Sequence, residues 1–285
     1  MSYRLDLDLP VPAALRAVLV ERLRHAEDAV RSGETAATAV HDARKDIKKA
    51  RALLRLARPG LDGKAYKSEN AALREIAQSL SAAREADVLA ETLELVAPRL
   101  TGRLAEPELD ALRARVATLA AAARPAGGSG IPEGALEALG AAVARAEALD
   151  FAACDARTLV AGSVRAYARG IDALAVARRD VTPDHLHEWR KRAKDLWYQQ
   201  RLLRDAWPEV LKAQADAADR LAKLLGDDHD LAELAAQLPD EDVLLAAIAE
   251  ARSAIQADAW RLGRRLYAEK PKAFGRRLGR YLTSR

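Results

Sequence analysis

The sequence is poor in cysteine, aromatic residues and long apolar runs, and each shortage excludes a class of structure. Its single cysteine, Cys154, cannot form a disulfide within the chain and is expected to be a small core residue of a helix. Aromatic residues make up only 4% of the 285 residues, too few for the core of a typical β-sandwich. No apolar run approaches the roughly 20 residues of a membrane span, and the first residues do not resemble a signal peptide. These shortages favour a soluble, cytoplasmic protein.

The residues that are abundant favour α-helix. Half of the chain is hydrophobic, and alanine, leucine, arginine and glutamate dominate its composition. The chain is also long enough for one full hydrophobic core or for two smaller ones. We therefore predict an all-α protein.

Charge is distributed unevenly along the chain. The formal net charge is only +4. Residues 41–58 carry seven Lys and Arg against two acidic residues, residues 185–204 carry six against two, and residues 261–285 carry nine against one. The rest of the chain is therefore acidic, and the three basic segments predict a field focused on a polyanion.

Two of these basic segments contain the same motif, H-x-x-R-K-x-x-K. The first copy is HDARKDIK at residues 41–48, and the second is HEWRKRAK at residues 187–194, so that corresponding positions lie 146 residues apart. The repeat preserves basic residues and not apolar ones. Packing alone does not account for that, and the pattern indicates two equivalent anion-binding surfaces.

Helical geometry places the motif cations in a line. At 100° per residue, the conserved positions of each copy fall within an arc of about 80°, beside an arc of apolar positions. Like charges three and four residues apart destabilise an isolated helix by roughly 0.2–0.5 kcal/mol per pair. A partner that neutralises both stripes would remove this cost. The simpler alternative is a solvated basic face on each helix.

Helical periodicity and breaking residues divide the chain into expected helices. The long third segment could be interrupted, and Thr182, Pro183 and Asp184 form a good start for the helix of the second motif. The expected ranges are 11–32, 36–58, 65–98, 106–124, 135–149, 154–179, 184–206, 208–237, 241–269 and 272–282.

The repeat also predicts the domain organisation. We expect one domain over 4–282, made of helical-bundle halves at 4–124 and 135–282 and joined by the Gly- and Pro-rich linker 125–134. Two four-helix bundles related by internal duplication and pseudo-two-fold symmetry would bring both basic stripes to one groove.

The doubled motif resembles the signature of the CHAD family, named for conserved histidines in an α-helical domain. Residues 40–45 and 51–56 are similar to its first motif helix, and residues 187–198 are similar to its second. Residues 83–89 and 225–231 look like the follow-on motifs of the family. The resemblance covers about residues 4–282 and implies the duplicated bundle fold.

The same resemblance implies a function. It implies binding of inorganic polyphosphate in a basic central groove or cavity by a non-catalytic module that directs proteins to polyphosphate granules. It also implies a stand-alone member, without the triphosphate-processing domain fused to some relatives. No cofactor is expected.

The predicted contacts use two kinds of cation and two histidines. Arginine can fork onto two phosphate oxygens, and lysine acts as a point charge. His41 and His187 would donate to phosphate more strongly when protonated, so that binding is expected to weaken as the pH rises through about 6 to 7.5. The predicted polyphosphate-binding residues are His41, Arg44, Lys45, Lys48, Arg51, Arg55, Arg84, His187, Arg190, Lys191, Lys194, Arg201, Arg204 and His229.

Two other functions stay open from the sequence. The basic stripes could bind nucleic-acid backbone, although helix-turn-helix, RNP and zinc motifs are absent. The acidic run Asp227–Asp230 could hold a metal ion for a phosphohydrolase, although such a run more often provides caps and ion pairs. His229 matches Arg84 by position and could face the groove instead. The oligomeric state is not predicted.

Overall fold

A computed structural model describes residues 3–32, 35–80, 85–122 and 131–284. These ranges form eleven α-helices without a β-strand, which confirms the all-α prediction. Within the same ranges no helix combines the length and apolarity needed to cross a bilayer. The helices are α1 (Val11–Ser32), α2 (Ala36–Ala57), α3 (Gly63–Ser79), α4 (Glu85–Leu100), α5 (Glu106–Ala122), α6 (Ala135–Ala148), α7 (Ala156–Arg179), α8 (Pro183–Leu202), α9 (Pro208–Gln237), α10 (Asp242–Leu266) and α11 (Pro271–Thr283).

Polar caps determine where several helices begin. The Thr182 hydroxyl accepts a hydrogen bond from the backbone N–H of His185 at 3.2 Å, and Pro183 occupies the first turn of α8, as predicted. Asp155 and Thr158 form a reciprocal capping box at the start of α7. These side chains satisfy N–H groups that have no partner inside the helix, so a short polar signal is enough to start it.

The segment expected as one helix over 65–98 is two helices, α3 and α4. The Ser79 hydroxyl donates to the carbonyl oxygen of Ile76 at 3.0 Å and competes with the helical hydrogen bonds there. Residues 81–84, and with them the predicted contact Arg84, lie outside the described residues. The helix of the second motif ends at Leu202, before the predicted 206, and a short 3-10 turn follows it.

Two hydrophobic cores hold the helices together, and each draws on both halves of the sequence. The larger core joins α1, α2, α3 and α6 to α7, α8, α9 and α11. The smaller core joins α4 and α5 to α9 and α10. Cys154 lies in the larger core, as expected, and burial raises the pKa of its thiol to about 11. Both cores contain residues from before and after the linker 125–134. The division of the chain at this linker into two duplicated bundles therefore stays a prediction.

The two motif helices and α7 pack against one another. Both α2 and α8 pack against α7 and also contact each other. At the crossing of α2 and α7, a Cβ on Gly162 would overlap the carbonyl oxygen of Leu56 and lie 2.8 Å from its carbonyl carbon. Only a glycine permits this approach, which sets the distance between the first motif helix and the rest of the cavity wall.

Candidate functional site

The two basic stripes line one cavity at the meeting of α2, α3, α4, α7, α8 and α9. We call this space, of about 890 Å³, the central cavity. Among the described residues, its lining contains ten lysine and arginine residues against four carboxylates. The carboxylates are Glu188, Asp195, Asp230 and Glu233, and the cations are Arg44, Lys48, Arg51, Arg55, Arg74, Arg169, Arg190, Lys191, Arg192 and Lys194.

Nine of the predicted contact residues reach this cavity. They are Arg44, Lys48, Arg51, Arg55, His187, Arg190, Lys191, Lys194 and His229. Among the described residues, four predicted contacts do not line it: His41, Lys45, Arg201 and Arg204. The Arg201 guanidinium lies 5.5 Å from the ring centroid of Trp197, and the Nε atom of Arg204 lies 3.6 Å from Asp205. Both arginines follow the part of α8 that faces the cavity and contact nearby side chains instead.

A buried carboxylate links the two motif helices. The carboxylate of Asp195 on α8 lies 2.7 Å from Nη2 of Arg55 on α2 and 2.9 Å from Nη1 of Arg192. Asp195 is only 6% exposed, so its charge requires these partners. The bridge holds one arginine of the first motif helix in a defined position on the cavity wall.

Both copies of the motif contain an ion pair at the same two positions, but the acidic and the basic residue have exchanged places. In the first copy Asp46 receives Nζ of Lys49 at 2.6 Å, and Arg22 of α1 adds a second contact at 3.2 Å. The equivalent positions of the second copy, 146 residues later, are Arg192 and Asp195. Asp46 is therefore a buried structural residue, which explains why an acidic residue interrupts the basic run.

Two cations on the α2 side of the cavity donate to neutral acceptors. Nη1 of Arg44 donates to the carbonyl oxygen of Ala77 at 2.8 Å, and Nε of Arg51 donates to the Asn70 side chain at 3.2 Å. Burial, and next the charge of Arg55, lower the pKa of Arg51 to about 10. Burial is the larger cause, and the repulsion from Arg55 is the part of the shift that a nearby anion would offset.

The α8 side is partly neutralised by its own carboxylates. Glu188 lies 3.0 Å from Nε of Arg192, 3.7 Å from Nζ of Lys191 and 3.9 Å from Nη2 of Arg169. Glu188 is about half exposed, and such pairs contribute roughly 0–1 kcal/mol each. A phosphate group could therefore exchange for this carboxylate at little cost.

The follow-on motif of α9 supports the second stripe. A Cβ on Gly226 would lie 3.0 Å from Nη2 of Arg190, so the guanidinium lies directly against the α9 backbone. Nη1 of Arg190 is 4.0 Å from Asp230 of the same helix. The sequence Leu-Gly-Asp-Asp-His-Asp thus provides both the space and the charge that place Arg190.

The two cavity histidines form a pair. The rings of His187 and His229 lie 4.2 Å apart between centroids, and Nε2 of His229 is 3.2 Å from Glu233. Burial, and next the neighbouring His229, Lys191 and Arg190, lower the pKa of His187 to about 4. A pKa of about 4 leaves His187 neutral between pH 6 and 7.5 while the cavity holds no anion. The expected weakening of polyphosphate binding as the pH rises through this range stays a prediction.

We expect stability to depend on His187 at lower pH. Because the folded pKa lies below the ordinary value of 6.5, the unfolded chain binds the proton more tightly. The contribution of His187 is complete above about pH 6.5 and is lost as the pH falls toward 4. Urea unfolding should therefore give a smaller loss of stability over this window for His187→Gln than for the unchanged protein. If the free energy of unfolding changed equally with pH in both proteins, His187 would not be the titrating group.

The most buried residue of the acidic run on α9, Asp228, forms hydrogen bonds with side chains of α10. Asp228 is fully buried and receives Nε of Arg252 at 3.0 Å and Nε2 of Gln256 at 2.7 Å. Burial, and next the charge of Asp230, raise the pKa of Asp227. Across the described ranges, no group of three or more His, Cys, Asp or Glu side chains could hold a metal ion. Asp228 therefore joins α9 to α10.

Sequence reasoning missed three cations of the cavity. Arg192 lies inside the second motif but is absent from the H-x-x-R-K-x-x-K pattern. Arg74 on α3 and Arg169 on α7 are single cations on helices without a repeat. Only the packing of α3 and α7 against α2 and α8 brings these two residues to the site.

The comparisons with known proteins agree with this fold. The model of the CHAD domain family matches residues 13–239. The crystal structure of the CHAD domain from the plant Ricinus communis is similar in fold, with a TM-score of 0.53 and 22% sequence identity over 94% of this chain and 96% of the plant chain. The search of curated proteins found no match. Because the family match spans most of the chain, this protein belongs to the CHAD domain family.

Proposed function

We propose that the protein binds inorganic polyphosphate in the central cavity without breaking it down. The observation that carries the proposal is that cations from both copies of the motif line a single cavity. A linear polyanion can contact both helices at once, and each arginine can donate two hydrogen bonds to its phosphates. Binding of this kind would recruit the protein to polyphosphate granules.

The cavity favours a polyphosphate chain over nucleic acid. The aromatic residue in its lining, Tyr198, is 5% exposed and stacks on Trp197 at 4.5 Å, so its ring is not offered to a base. Single-strand binders use exposed aromatic rings for this purpose. A chain without bases needs only repeated cations, and the cavity provides those.

Competition tests this proposal. Labelled long-chain polyphosphate would be titrated against unlabelled polyphosphate, duplex DNA and ATP at about 0.15 M salt. We expect polyphosphate to compete at least about tenfold better than DNA per charge, since both share the salt-dependent backbone contribution and only one fits the cavity. Equal competition by DNA would contradict the proposal.

Phosphate release separates binding from catalysis. Incubation of the protein with polyphosphate, with and without added Mg²⁺, should leave the chain length unchanged. The buried carboxylate of the cavity, Asp195, is engaged by Arg55 and Arg192. Release of phosphate in step with protein concentration would instead support the phosphohydrolase alternative.

A further inference from the structure

A second line of cations lies outside the central cavity, on α11. Lys272, Arg276 and Arg280 are exposed and occur every fourth residue, so that they follow each other at intervals of roughly 6 Å along the helix. We call these three residues the α11 stripe. The opposite face of α11 buries Phe274 and Leu278 in the larger core. The stripe therefore has the spacing of the cavity stripes but faces solvent.

Within the described residues, the α11 stripe has no carboxylate to neutralise it. The acidic residue of the segment 261–285 is Glu269, and Nη2 of Arg277 holds it at 2.7 Å. The first turn of α11 contains no acidic residue. It does contain Lys272, at the end of a helix where the dipole disfavours a cation. The stripe thus has an electrostatic cost with no internal compensation.

Neighbouring residues extend this positive surface. Arg264 and Arg265 are exposed in the last turn of α10, and Lys270 is exposed at the N-cap of α11. The two arginines complement the dipole of their own helix, but they add to the field beside the stripe. Exposed cations are thus concentrated in the last turn of α10 and along α11, and such a concentration attracts a long anion more than a small neutral ligand.

The α11 stripe and the central cavity are attached to the same helix. Gly275 of α11 packs so closely on α7 that a Cβ there would lie 2.6 Å from Val164. Arg169 of α7 lines the central cavity five residues later, roughly 7.5 Å along the helix axis. Arg165, between them, is exposed and lines a small adjoining cavity together with Arg169. Arg165 and Arg169 thus add two cations of α7 at the edge of the central cavity, within two helical turns of the contact between α7 and α11.

We propose that the α11 stripe is a second contact for the same polyanion and binds the part of a long polyphosphate chain outside the central cavity. The proposal rests on the proposed function, because it takes the cavity as the first contact. The second contact becomes intramolecular once the cavity is occupied, so its effective concentration is high. The protein should therefore prefer long chains over short ones.

The test compares two variants with equal charge. In the first, the stripe is removed by Lys272→Gln, Arg276→Gln and Arg280→Gln, since glutamine keeps good helix propensity. The control removes three exposed cations on α3, α7 and α9, which form no ion pair among the described residues: Lys67→Gln, Arg178→Gln and Arg220→Gln. Both are titrated with long-chain polyphosphate and with tripolyphosphate, which is too short to leave the cavity.

We expect the stripe variant to lose about tenfold in affinity for long chains and nothing for tripolyphosphate. The logarithm of its long-chain affinity should also fall less steeply with the logarithm of salt, by about two in slope, since fewer counterions are released. The control variant should match the unchanged protein with both ligands.

Other results would overturn the proposal. If the stripe variant binds long chains as well as the control does, the stripe takes no part. If it loses only the ability to bind vesicles containing anionic lipid, the stripe is a membrane contact instead. Failure of the proposed function looks different: the unchanged protein would then bind neither tripolyphosphate nor long chains.

Discussion

The affinity for long-chain polyphosphate should fall at least about hundredfold when four cavity cations are replaced by alanine: Arg44, Lys48, Arg190 and Lys194. Hydrogen bonds to charged groups contribute about 1.5–3 kcal/mol each, and at least one contact per helix is lost. A hundredfold loss corresponds to about 2.8 kcal/mol, so the expectation is met even if only two of the four contacts are strong. Isothermal titration calorimetry would measure it.

Half-cavity variants test whether one ligand bridges both helices. Replacing Arg44 and Lys48 alone, or Arg190 and Lys194 alone, should each weaken binding by about tenfold or more. If both helices hold the same chain, tripolyphosphate affinity should fall in both variants. Loss from only one of them would mean that the two stripes bind independently or that one is idle.

A charge-matched control is available for the fourfold change. Four exposed cations, with no ion pairs among the described residues, can be replaced by alanine outside the cavity: Lys67, Arg178, Arg179 and Arg220. We expect this variant to keep most of its affinity, because exposed and scattered cations add only a screened field. Thermal unfolding of both variants would show whether either has lost its fold. If both variants lost polyphosphate affinity equally, the net charge of the protein, and not the cavity, would account for the loss.

Alanine at Gly162 should lower the free energy of unfolding by about 2–3 kcal/mol or more. The added Cβ would overlap the backbone carbonyl oxygen of Leu56, which cannot rotate away as a flexible side chain can. The strain would separate α7 from α2 and move Arg55 away from Asp195 on α8. Urea titration of the two proteins would measure the change in stability.

Gly140 supplies the opposite case in another helix. A Cβ there would meet only the carboxylate end of Glu27, at 3.6 Å. Because glycine inside a helix costs roughly 1 kcal/mol relative to alanine, Gly140→Ala should stabilise the protein by about 0.5–1 kcal/mol. Equal effects of the two substitutions would show that helix propensity, and not the close approach of α2 and α7, decides the cost at Gly162.

Local sequence signals predicted the parts of the structure that depend on neighbouring residues. The Thr182 cap and Pro183 start α8 where they were expected to, because a cap acts within one helical turn. The periodicity of the motif predicted an apolar arc beside each basic stripe, and Ile47 and Ala193, which occupy these arcs, are buried. The break between α3 and α4 was less well predicted, since the apolar pattern continues through it.

The composition of the cavity was only partly predictable. The repeat identified Arg44 and Arg190 because both copies carry an arginine at the same position. It also suggested Arg201, which the 100° rule places in line with them, yet the Arg201 guanidinium lies over the rings of Tyr3 and Trp197. The angle of a residue around the helix axis predicts which side of the helix it occupies. It does not predict how far along the helix the cavity extends.

The sequence by itself determined the helices, the core faces and the two basic stripes, because these depend on residues three or four apart on one helix. Only the tertiary structure decided which charges share a space. It brought Arg169 of α7 to the cavity, paired Asp195 with Arg55 of α2, and enclosed His187 so that its pKa falls to about 4. These properties depend on distances between separate helices and on the exclusion of water between them, which no spacing along one helix can specify.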